Sequence, residues 1–156
     1  MSPRTTSRTT SRVTSPGFLK ERRAVIAAAK SLRAASLVHG REGNVVLRAG
    51  GSFLVTPTGI NYEALKPAHI VWLNDKGVAA GKQIPSSEWR FYLHILATQP
   101  EINAVMHTHS MFAIVPACQD LGILAFTYMV AFAGGRDIRC APYATFGTQG
   151  TTALTR

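Results

Sequence analysis

Apolar residues recur at roughly helical spacing from position 18 to 38, where Leu19, Val25, Ile26, Ala29, Leu32, Ala35 and Leu37 stand between basic residues. That period predicts an amphipathic helix, stopped by Gly40. The pattern then shortens. Two β-rich runs, 45–48 and 52–56, flank Ala49-Gly50-Gly51 and predict a hairpin. Pro57, Thr58 and Gly59 predict a turn. "HIVWLN" reads as a buried strand beginning at His69, and "DKG" as the turn after it. In "PSSEWRFYLHILATQP", Ser86 or Ser87 can cap a helix that carries Glu88 in its first turn and ends before Pro100. "INAVMHTH" predicts another strand and "SMFAIVPACQ" a helix from Ser110. "AFTYMVAFAGG" is mixed, and "DIRCAPYATFGT" reads as a short strand entering a loop. The succession of elements predicts an α/β layered domain with a mixed sheet.

Residues 1–16 break this rhythm. The near-repeat "RTTSRTTSR" is too polar to bury a core and reads as a disordered basic tail, leaving 17–156 as one folded domain. The formal charge of +9 changes meaning once it is located. Residues 1–33 hold eight basic side chains against Glu21 alone, and the other 123 residues hold nine against seven. The folded body is therefore nearly neutral. With no aromatic stacking pattern or basic reading helix, a specific nucleic-acid function is not indicated. No apolar stretch approaches the roughly 20 residues that span a bilayer. The opening lacks a secretory signal, though its Arg, Ser and Thr loosely resemble an organelle transit peptide. Cys118 and Cys140 read as reduced, buried thiols of a cytoplasmic protein.

Candidate chemistry begins at "AVMHTHS". Residues i and i+2 of a strand share a face, so His107 and His109 can reach one ion. They can equally be two polar residues closing a strand. Glu88 sits at a helix start, either as a capping carboxylate or as a base facing a bound substrate. Gly43-Asn44, Thr58-Gly59 and Ser86-Ser87 are small, polar loop segments; each suits an ordinary turn or a phosphate. Lys66, Lys76 and Lys82 lie in turn-like segments and read as solvated, so no Schiff-base lysine is indicated.

Taken in order, Gly43-Asn44, "FLVTPTGINYEAL", "HIV", "IPSSEWRF", "AVMHTHS", "YMVAFAGG" and "APYATFGT" resemble the class II aldolase/adducin family, within it the bacterial L-fuculose-phosphate aldolase type. The likeness covers residues 20 to 149. It implies a three-layer α/β/α domain with a mixed, mainly antiparallel central sheet. It implies one zinc ion per subunit, held by His107, His109 and Glu88, with Glu88 also the acid/base. It implies a phosphate cradle of Gly43, Asn44, Thr58, Gly59, Ser86 and Ser87. Tyr128 matches a proton donor acting across a subunit boundary in a homotetramer. The reaction implied is cleavage of a phosphorylated ketose, such as L-fuculose 1-phosphate, to dihydroxyacetone phosphate and an aldehyde.

Three departures stand beside the likeness. The family's third zinc histidine has no match here, since His39, His69 and His94 sit in other motifs. The likeness ends at Gln149, so the chain reads as C-terminally truncated, with sheet edges and helix-packing surface left uncovered and activity impaired. Val46 stands where a small hydroxyl residue is usual, which weakens the cradle. A non-catalytic scaffold of the adducin type, or a sugar-phosphate epimerase or decarboxylase, are the alternatives. Glu88 favours an aldolase over an epimerase, where aspartate is usual.

Overall fold

A computed structural model of the chain describes residues 17–133 and 135–145. The basic tail and the stretch in which the motif likeness ends lie outside the described residues.

Helix α1 spans Leu19–Ala34. It ends before Gly40 because Ser36 takes the left-handed conformation, with φ of 56°. The Leu37 N–H then bonds to the Leu32 carbonyl and the Ser36 N–H to that of Arg33, which satisfies the last turn. Strands β1 (Asn44–Ala49) and β2 (Ser52–Val55) form the expected hairpin. Gly50 and Gly51 both have positive φ, 54° and 76°, as a two-residue primed turn demands. Strand β3 (Val71–Leu73) is shorter than expected, because His69 belongs to a 3-10 turn in which its Nδ1 accepts the Lys66 N–H. A two-residue β4 (Ala79–Ala80) follows. Helix α2 (Trp89–Thr98), β5 (Ala104–His107) and α3 (Met111–Ala117) complete the regular elements, with a 3-10 segment at Tyr128–Ala133. The expected strand near Ile138 is a single bridge to Ile123.

The sheet order is β4-β3-β2-β1-β5, and every pairing among the described strands is antiparallel. The layered α/β fold with a mainly antiparallel sheet is as expected, and among the described residues the sheet holds no parallel pair. Both faces are covered. Val45, Ala49 and Leu54 project to one face and pack with Val25, Ala29 and Leu32 of α1. Val46, Phe53, Val55, Val71 and Leu73 project to the other and pack with Tyr92 and Leu96 of α2. Period-2 alternation under two helices explains why these strands are apolar throughout. Val46 is fully buried in the second cluster, so it is a core residue and not part of a phosphate cradle.

From Met111 onward the chain is different. Phe112, Leu124, Phe126 and Phe132 are among the large apolar side chains that stand exposed. Cys118 is exposed and Cys140 half-buried; both are free thiols, but neither is in a core as expected. Lys66, Lys76 and Lys82 are exposed, as read from the sequence. Among the described residues, no helix is long and apolar enough to cross a membrane.

Candidate active site

The register of β1 against β5 builds the site. Asn44, the first residue of β1, pairs with His107, the last of β5. Both therefore lie on the α2 face of the sheet, beneath the start of that helix. Gly43 makes this approach possible. Its φ is +75°, and a Cβ there would lie 2.8 Å from the His107 carbonyl and 2.5 Å from Val38 Cγ1.

Glu88 is itself the N-cap residue of α2, not a first-turn residue. Neither serine is the N-cap residue, though the Ser86 hydroxyl accepts the Glu88 N–H at 3.5 Å. Ser86 is buried, and its hydroxyl accepts a hydrogen bond from Asn44 Nδ2 at 2.8 Å. The Glu88 carboxylate is turned to the sheet: Oε2 lies 2.7 Å from His107 Nδ1 and accepts from Tyr92 Oη at 3.0 Å and Asn44 Nδ2 at 3.4 Å. The hydrogen bond to His107 is the main reason its pKa falls to about 2, with Tyr92 and Asn44 adding to it against the opposing effect of burial. Tyr92 Oη is also 3.3 Å from His107 Nδ1, and burial, reinforced by Glu88, pushes its own pKa up. The Oδ1 of Asn44 is buried with no hydrogen-bond partner among the described residues.

His109 lies past the strand end, held by its N–H to the Leu37 carbonyl. Its ring centroid is still 4.7 Å from that of His107. Burial, then the neighbouring His107, lowers its pKa and favours the neutral form that binds metals. Among the described residues, no three or more His, Cys, Asp and Glu side chains are grouped to hold a metal ion. The pair of imidazoles with a carboxylate nonetheless has the donor chemistry of a zinc site.

A cavity of about 450 Å³ gathers most of these groups: Arg41 to Asn44, Pro57 and Thr58, Ser86 to Glu88, and both histidines. Gly59 is not on its wall; its carbonyl accepts from Arg41 Nη1 instead. Tyr128 is also apart, 79% exposed and stacked edge-on to Phe132. Sequence reasoning missed Tyr92, although it stands one helical turn after Glu88 and so shares its face. It also missed Arg41 and Glu42, which only their position before Gly43-Asn44 could have suggested.

The model of the class II aldolase and adducin N-terminal domain matches residues 23–155. This chain belongs to that family. The match runs past Gln149, where the motif likeness was expected to end. The chain is 47% identical over 127 residues to 5-methylthioribulose-1-phosphate/5-deoxyribulose-1-phosphate aldolase of Rhodospirillum rubrum, covering 81% of this chain and 58% of that protein. It is 44% identical over 113 residues to L-fuculose phosphate aldolase of Escherichia coli K12, covering 72% and 53%. A solved L-fuculose 1-phosphate aldolase superposes with a TM-score of 0.82 at 32% identity, over 92% of this chain and 68% of that one. The chain thus spans little more than half the length of these two curated relatives.

Proposed function

We propose that this class II aldolase-family chain carries the phosphate- and metal-holding half of an enzyme that cleaves a phosphorylated ketose. The products are dihydroxyacetone phosphate and an aldehyde, and L-fuculose 1-phosphate and 5-methylthioribulose 1-phosphate are the substrates its relatives' names suggest. The observation that carries this reading is convergence: the 43–44 loop, the 86–88 loop and the His107–His109 pair open on one cavity.

His107 and His109, with Glu88 beside them, would hold one zinc ion. Bound there, zinc would supply Lewis-acid stabilisation of the negative charge that develops on the substrate. The chain's own groups do the rest. Asn44 positions Ser86 and Glu88 through its Nδ2. The hydroxyls of Thr58, Ser86 and Ser87 would serve the phosphate, since the N–H groups of Thr58 and Ser86 are already given to the Ile84 and Thr56 carbonyls. Glu88, ionised at neutral pH, is placed to take a proton from the carbon that becomes nucleophilic in the condensation direction. In cleavage the hydroxyl proton leaves the carbon that becomes the aldehyde, the carbon–carbon bond breaks with its electron pair moving toward the carbonyl, and Glu88, having accepted a proton, then delivers it to the carbon left behind. Tyr92 orients the carboxylate through its hydrogen bond. Tyr128, standing outward, would act on a neighbouring copy in a homotetramer, and the enzyme would work in the cytoplasm.

Proton exchange tests this without requiring the full turnover. The zinc-loaded chain should wash deuterium into the C3 position of dihydroxyacetone phosphate, and Glu88→Gln should not. Equal exchange by both proteins would remove Glu88 from its role.

A further inference from the structure

The cavity holds an imbalance of charge. Its wall includes the carboxylates Glu42 and Glu88, and the proposed cradle residues Gly43, Asn44, Thr58, Ser86 and Ser87 are all neutral. A phosphate dianion brought here would meet no fixed positive charge from them. Arg41 is the one Lys or Arg on that wall among the described residues. Among the described residues no carboxylate lies within ion-pair reach of it.

Its position is defined. Nη1 donates to the Gly59 carbonyl at 3.1 Å, which draws the side chain from the 39–43 loop across to the Thr58-Gly59 turn. The guanidinium therefore bridges two of the segments whose small polar residues face the cavity. One bond to a carbonyl leaves most of its five N–H donors available. The nearest acid in sequence, Glu42, is turned back on its own loop, where its carboxylate accepts the N–H groups of Gly40 and His39.

We propose that Arg41 is the counter-charge for the substrate's phosphate, selecting a phosphorylated over an unphosphorylated sugar at the mouth of the cavity. The proposal rests on the sugar-phosphate reading above and adds a residue to it. Guanidinium suits the task because its planar fork pairs with two phosphate oxygens in a fixed geometry, whereas a lysine ammonium acts as a point charge.

Inorganic phosphate is the probe, titrated into the metal-free chain at low ionic strength and followed by calorimetry. Arg41→Gln should weaken binding by about 10- to 100-fold, as loss of a charge-assisted contact does. Arg41→Lys should recover part of that loss. Arg23→Gln, which removes an exposed charge on α1, should bind as wild type does. Equal binding by wild type and Arg41→Gln would overturn the role of Arg41 while leaving the phosphate site in place. An equal loss in Arg23→Gln would reduce the effect to net charge and overturn it too. No saturable binding by the wild-type chain would overturn the phosphate reading itself, and this proposal with it.

Discussion

Glu88 Oε2 lies 2.7 Å from Nδ1 of His107, joining the residue that opens α2 to the residue that ends β5. A helix start on one face of the sheet is thereby fixed to an edge strand. Tyr92 reaches both partners from within the helix.

Removing the Tyr92 hydroxyl tests that arrangement. Tyr92→Phe keeps the buried ring but deletes a hydrogen bond to a charged acceptor. Stability should fall by about 1–3 kcal/mol in urea unfolding. No measurable loss would show that the phenol is not holding the carboxylate.

Gly43 is required by crowding as well as by its backbone angle. In Gly43→Ala, the new methyl would meet the His107 carbonyl and Val38 at once. The variant should lose more than about 1 kcal/mol and should also displace His107, seen as a shift of its imidazole signals. A loss without any change at His107 would confine the glycine to a turn role.

The sheet's interior sets the larger scale. Leu54 is fully buried beneath α1. Leu54→Ala should cost about 2–5 kcal/mol by equilibrium denaturation.

Acid should loosen the loop before Asn44. The N–H groups of Gly40, Glu42 and His39 hold the Glu42 carboxyl down to about 2 from its ordinary 4.5. Because the folded pKa is the lower one, this contribution is fully present above 4.5 and is lost as pH falls toward 2. Protection of the Gly40 amide, relative to its intrinsic exchange rate at each pH, should fall across that window in the wild type and be low at all pH values in Glu42→Ala. Identical exchange profiles would show that the carboxylate does not order the loop.

Much of this architecture was legible from local rules. The hairpin could be placed because Gly50-Gly51 suits a primed turn and the flanking runs are β-branched. The pairing of His107 with Glu88 was not a matter of spacing; only the family motifs suggested it. Other features depend on tertiary contacts that no local pattern reports. Ser36 ends α1 in a conformation usually left to glycine, so Gly40 gave the wrong stop. Ser86 does serve the helix start, but its hydroxyl is shared between the Glu88 N–H and Asn44 of β1, a partner that no local pattern reports. Val46 looked like a defect in a loop motif until the register put it under α2. Cys118 has an apolar sequence context yet lies on an exposed helix end, where periodicity cannot tell a buried face from a bare one.

Zinc binding by the two histidines tests the central claim most directly. Equilibrium dialysis with zinc at neutral pH should give one ion per chain for the wild type and a lost or greatly weakened site in His107→Ala and in His109→Ala, each checked for folding by circular dichroism. An unchanged zinc stoichiometry and affinity in either folded variant would contradict the account.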